Sequence, residues 1–139
     1  MQVTDAMNSP VVTIAPDATI AEAGALMRDS NVGCLVVVEL QEVKGIITDR
    51  DIAVRVVPIA ENAGAATVGS YMSEDPVTVM PSLPVMEALD LMKRRKIKRL
   101  PVVYAGKLEG IIALVDIAET LEPTTRDLLT GLKESRHNV

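Results

Sequence analysis

A chain of 139 residues with net charge −5, 14 Lys and Arg against 19 Asp and Glu, is poorly suited to binding nucleic-acid phosphates through a general positive field. Its residues are 48% apolar, yet Phe and Trp are absent and Tyr71 and Tyr104 are the only aromatics, so the core must be aliphatic. One histidine (His137), one cysteine (Cys34, inside an apolar run), no signal-peptide core and no apolar run near the ~20 residues of a membrane helix argue against histidine-based triads, zinc sites, disulfides and membrane insertion, and the expectation is a soluble cytoplasmic protein.

The chain opens on Val3-Thr4-Asp5-Ala6-Met7, enough for one turn of helix, before the β-rich run Val11-Val12-Thr13-Ile14 and its closing turn Ala15-Pro16-Asp17. Thr19 and Glu22 have capping-box spacing, and Ile20, Ala23, Gly24 and Met27 then share one face of a helix. Apolar strands follow at Cys34–Val38, where Cys34 reads as a small core residue, and at Lys44–Ile47. Asp49–Val57 resumes helical character, and the alanine-rich stretch 58–67 reads as a linker. The order then returns: a leading segment Val68–Met72, a strand Val77-Thr78-Val79, and a helix Val85–Arg95 with Val85, Ala88, Leu89 and Met92 on one face. Strands Leu100–Val103 and Leu108–Ile112 flank a turn at Tyr104-Ala105-Gly106-Lys107, and a helix Leu114–Leu121 follows. The tail 122–139 carries a short helical pattern in Leu128, Leu129 and Leu132 and a polar end expected to fray.

Residues 3–53 slide onto 68–118 with a shift of 65 and no gap, and 18 of the 51 aligned positions are identical. The chain therefore carries one strand-helix-strand-strand-helix unit twice, over 3–57 and 68–121. Copies of ~50 residues are each too small for an adequate core, so the two are expected to share one, with any site between them or once in each.

The heptad Gly45-Ile46-Ile47-Thr48-Asp49-Arg50-Asp51 places a hydroxyl and a carboxylate on one side of a helix's first turn. Asp51 could accept both hydroxyls of a ribose, with Thr48 and unpaired helix N–H groups donating to phosphate; helix capping accounts for the heptad equally well. The second copy replaces Thr48, Asp49 and Arg50 with Ala113, Leu114 and Val115 but keeps Asp116, which capping alone does not explain. With hydroxyl, charge and carboxylate all present, the first copy is expected to bind more strongly. The run Lys93-Arg94-Arg95-Lys96-Ile97-Lys98-Arg99 holds six of the 14 basic residues; Lys93–Lys96 read as a solvated helix end, whereas Lys98 and Arg99 stand at the mouth of a strand.

These pieces together resemble a tandem CBS (cystathionine-β-synthase-type) domain pair, the Bateman module, over residues 3 to about 121. The resemblance rests on Val3…Met7 with Val68…Met72, the strand-turn pieces ending at Pro16 and Pro81, Arg99-Leu100-Pro101-Val102-Val103, and Thr48-Asp49-Arg50-Asp51-Ile52. It implies an α/β (α+β) fold of two β-α-β-β-α repeats packed as a pseudo-two-fold pair, and a non-catalytic module that binds AMP, ADP or ATP in the cleft between repeats and signals to a partner protein. The adenine would lie near Thr13, Ile14, Ala15, Val32 and Gly33, and near Thr78, Val79, Met80, Ile97 and Lys98, with Pro101 also among the ligand-binding residues. The ribose-binding aspartate falls on Asp51 and Asp116, the phosphate-facing hydroxyl on Thr48 beside Arg50, and the basic pair on Lys98 and Arg99. No cofactor is required, Mg²⁺ could accompany ATP, and pairing into a homodimer is implied. Ala113 in the second copy and Gly33-Cys34 in the first depart from the family pattern. The alternatives are a nucleic-acid binder using Lys93–Arg99, a structural dimerisation module with empty clefts, or an enzyme, for which no positioned base or nucleophile is evident.

Overall fold

The computed structural model describes residues 1–59 and 62–120. The expected tail 122–139, and Leu121 before it, lie outside the described residues. In the first repeat β1 (Thr13–Ile14) leads to α2 (Ile20–Ser30), the hairpin β2 (Cys34–Glu39) and β3 (Glu42–Thr48), and α3 (Asp49–Asp51). A short helix α1 (Val3–Ala6) precedes them, and α3 runs on through a π-helical turn at Ile52–Val56 and a 3₁₀ turn at Val57–Ile59. The second repeat has α4 (Val68–Tyr71), β4 (Ser73–Glu74), α5 (Val85–Arg95), β5 (Arg99–Tyr104), β6 (Lys107–Ala113) and α6 (Leu114–Thr120). The β-α-β-β-α order read from the sequence is thus present in both repeats, with one shortening. In the first, β1 runs parallel to β2 and the Val36 N–H donates to the Val12 carbonyl at 3.3 Å. The residue matching Val36 is Pro101, which has no N–H, and the strand expected at Val77–Val79 shrinks to a single bridge between Val79 and Val102.

Each helix starts and stops for a local reason. The Thr19 hydroxyl accepts from the Glu22 N–H while the Glu22 carboxylate accepts from the Thr19 N–H, both at 3.1 Å, which is the expected capping box. Helices α2 and α5 end alike, at Asn31 and Lys96 in the left-handed conformation (φ 54° and 55°), each N–H returning to carbonyls of the last turn.

The chain forms two compact units, and neither is one contiguous copy. One comprises Met1–Ser9, Thr78–Tyr104 and the chain from Glu109; the other comprises Pro10–Val77 and Ala105–Leu108. Each leading segment therefore lies with the body of the opposite repeat, and the hydrogen bonds repeat with the same shift of 65. In one unit Val3 and Thr4 donate to Leu83 and Pro81, and Val85 donates to Met1. In the other Val68 and Gly69 donate to Ala18 and Pro16, and Ile20 donates to Ala66. The end of the expected linker is structural: carbonyls of Ala63 and Ala66 take the first N–H groups of α2, which would otherwise lack partners. In the Pro10–Val77 unit the core gathers Ile20, Ala23, Met27, Leu35, Val37, Ile47, Val56, Ala66 and Val68. In the other, α1 packs on α5 and α6, and Val3, Val85, Ala88, Leu89, Met92, Leu100, Val102, Ile112 and Ile117 are buried.

Two glycines seat these exchanged segments. A Cβ on Gly110 would lie 2.6 Å from Met7 Sδ and 2.9 Å from the Asn8 carbonyl oxygen; one on Gly45 would lie 2.6 Å from Met72 Sδ and 2.7 Å from the Ser73 carbonyl oxygen. A thioether can swing aside, but a carbonyl held in strand pairing cannot, and Asn8 pairs with Ile111 as Ser73 pairs with Ile46. Gly45→Ala and Gly110→Ala are each expected to cost about 1–3 kcal/mol, read as a lower urea midpoint at unchanged slope.

Candidate ligand site

The first repeat's residues converge at the start of α3. Cys34, half-buried at the head of β2, pairs with Thr48 at the end of β3, and the Asp49 N–H donates to the Gly33 carbonyl at 2.9 Å. The Asp51 carboxylate Oδ2 accepts the Thr48 N–H at 2.8 Å, and the Thr48 hydroxyl accepts the Asp51 N–H at 3.1 Å. The Asp49 Oδ1 takes the Arg50 N–H at 2.8 Å. All four N–H groups from Thr48 to Asp51 are therefore spoken for, which corrects the expectation that this helix start offers unpaired donors to phosphate. The other Asp49 oxygen lies over Gly33, where a Cβ would stand 2.8 Å from it.

In the second repeat the Asp116 Oδ2 accepts the Ala113 N–H at 3.0 Å, as Asp51 does for Thr48. Retention of the aspartate without the hydroxyl thus has a structural cause: the carboxylate is itself the other half of the cap, and capping accounts for its presence in both repeats. The same Oδ2 also accepts Asn8 Nδ2 at 2.8 Å. Sequence reasoning missed Asn8, which is 108 residues distant; its only signal was its place directly after the repeated leading segment Val3–Met7. Among the described residues no hydrogen bond reaches Oδ1 of Asp51 or of Asp116. The Leu114 N–H donates to the Lys98 carbonyl at 2.8 Å, which ties the start of α6 to the entry of β5, where Lys98 and Arg99 are half-buried.

The remaining candidates divide by unit. Thr13, Ile14, Ala15, Val32, Gly33, Thr48, Arg50 and Asp51 all lie in the Pro10–Val77 unit; Thr78, Val79, Met80, Ile97, Lys98, Arg99, Pro101 and Asp116 all lie in the other. Thr13 and Thr78 are exposed, Val79 and Pro101 are buried, and Met80 is 56% exposed, an unusual position for a large apolar side chain. Lys93–Lys96 are exposed, and Arg94 pairs with Asp90 one turn earlier at 2.9 Å. Among the described residues no group of three or more His, Cys, Asp or Glu is placed to hold a metal, and no helix is long and apolar enough to cross a membrane.

A family model described as the CBS domain matches twice, over residues 3–57 and 68–123. The chain belongs to the CBS-domain family. It is 41% identical over 116 residues to the CBS domain-containing protein YhcV of Bacillus subtilis, covering 84% of this chain and 82% of the relative. Among solved structures it resembles a putative signal-transduction protein with CBS domains from Burkholderia ambifaria, with TM-score 0.80, 28% identity, and 86% and 93% of the two chains covered. It also resembles Hypoxic Response Protein I, solved with two coordinated zinc ions, with TM-score 0.79, 27% identity, and 88% and 100% covered. CBS-domain proteins are commonly regulatory modules.

The first helix start carries a capping hydroxyl that the second lacks, and unfolding without added ligand measures its worth. Thr48→Ala is expected to cost about 1 kcal/mol. Asp116→Ala, which strips the acceptor from both the Ala113 N–H and the Asn8 amide, is expected to cost at least as much.

Proposed function

We propose that this CBS-domain chain is a non-catalytic regulatory module that binds an adenine nucleotide, AMP, ADP or ATP, and passes the binding on to a partner protein as a change in conformation. The observation that carries the reading is the Asp116 carboxylate. One oxygen is anchored by Ala113 and Asn8 while the other takes no hydrogen bond among the described residues, and Lys98 and Arg99 lie in the same unit. An anchored carboxylate with an open oxygen suits the hydroxyls of a ribose, and two cations suit the phosphate that goes with it. Val79 and Ile97 offer an aliphatic bed for the base in a chain without Phe or Trp. The matching set in the first repeat is Asp51 with Thr13, Ile14, Val32 and Gly33. Membership of a family of commonly regulatory modules supports the signalling part, which follows if nucleotide binds two conformations unequally.

Calorimetric titration of the full chain with AMP, ADP and ATP tests this. Saturable binding is expected, weakened at least ~tenfold by Asp116→Ala and for AMP by Arg99→Ala, a loss of about 1.4 kcal/mol. Absence of heat and of any thermal shift with all three nucleotides would remove the reading.

The same reading includes self-association as a homodimer. Ile52 and Val56 turn inward to the core, but Val54, Val57 and Ile59 on the same helical stretch are 52%, 65% and 60% exposed. Light scattering is expected to give twice the chain mass, and Val57→Asp to shift it toward the monomer; a monomeric mass for the unaltered chain would exclude the pairing.

A further inference from the structure

The two repeats place opposite charges at one position. In the second, residue 98 is a lysine and its carbonyl accepts the N–H of Leu114; in the first, the matching Gly33 carbonyl accepts the N–H of Asp49. The direction in which a side chain would leave residue 33 is filled by the Asp49 carboxylate, 2.8 Å from a Cβ there. The space where the lysine side chain begins in one repeat is therefore taken by a carboxylate in the other. That carboxylate is exposed, and its Oδ1 accepts the Arg50 N–H at 2.8 Å. Asp49, Arg50 and Asp51 leave the first repeat's site with one net negative charge, and Lys98, Arg99 and Asp116 leave the second with one net positive charge.

We propose that Asp49 is a specificity-determining residue that bars phosphate from the first repeat's ligand position, so that the chain takes phosphorylated nucleotides in its second repeat alone. This rests on the nucleotide reading above and reverses the ranking of the two copies suggested by their side chains in sequence. A ribose on Asp51 would bring its phosphate toward the Asp49 carboxylate with no lysine or arginine at residues 33 and 34 to offset it, whereas the second repeat carries Lys98 and Arg99 at the matching positions. A side chain at residue 33 would have to displace the Asp49 carboxylate, the movable end of an exposed side chain, so removing that carboxylate clears the position for a lysine.

The test is calorimetric titration of the full chain with AMP, and with adenosine as the phosphate-free control. The unaltered chain is expected to take one AMP per chain, weakened at least ~tenfold by Asp116→Ala and by Arg99→Ala. The Gly33→Lys/Cys34→Arg/Asp49→Leu chain, which copies the second repeat at these three positions, is expected to take two. Asp49→Leu alone is expected to raise first-repeat affinity for AMP while leaving that for adenosine unchanged, a split that a purely structural role would not produce. Thermal unfolding checks that each variant is folded, and Asp49→Asn repeats the charge removal with the smallest change in shape. Two AMP in the unaltered chain, AMP bound with unchanged affinity by a folded Asp116→Ala variant, or a triple variant still taking one would each overturn the role of Asp49. No binding of AMP or adenosine by the unaltered chain would instead sink the nucleotide reading itself.

Discussion

Everything in this fold depends on the exchange of leading segments, and the exchange depends on two methionine-on-glycine contacts. Met7 lies on Gly110 and Met72 on Gly45, each so close that even a methyl group would collide with sulfur and backbone. The exchange completes the hydrogen bonding of each unit: the segment that begins one repeat supplies the carbonyl that caps the other's first long helix and the strand partner at the edge of its hairpin. A single copy of the repeat would lose both, and the buried valines Val3 and Val68 with them. Duplication here makes two pieces that finish each other.

The exchange also brings Asn8 to Asp116. The aspartate common to both repeats has a structural duty, because its Oδ2 returns to the N–H three residues earlier and holds the turn from strand into helix. A carboxylate has two oxygens, and that duty uses one. The oxygen spent on the backbone orients the one left over, as a positioned acceptor requires. A function resting on this aspartate cannot be inferred from its repetition, since the cap by itself is reason enough for an aspartate in both copies.

The repeat, the order of elements, the first helix with its Thr19–Glu22 box and the CBS relationship were all legible in the residues, because each is governed by local hydrogen bonding or by the period of apolar side chains. The shortened strand at Val79 was legible in principle too, since a proline at 101 cannot donate to a neighbouring strand. Along the basic run, the division between an exposed Lys93–Lys96 and a half-buried Lys98 and Arg99 matches the ordinary end of a helix and the start of a strand.

Side-chain chemistry alone determined that this is a duplicated aliphatic α/β chain with an aspartate after each hairpin, since composition, spacing and capping act over a few residues. Only the tertiary structure decided which leading segment serves which repeat, that Asn8 meets Asp116, that the donors at Thr48–Asp51 are already occupied, and that the Asp49 carboxylate fills the space above Gly33. Those outcomes join residues far apart in the chain or turn on a few ångströms of side-chain placement. No local pattern encodes either, because hydrogen-bond partners and steric exclusion are settled by the packing of the whole unit.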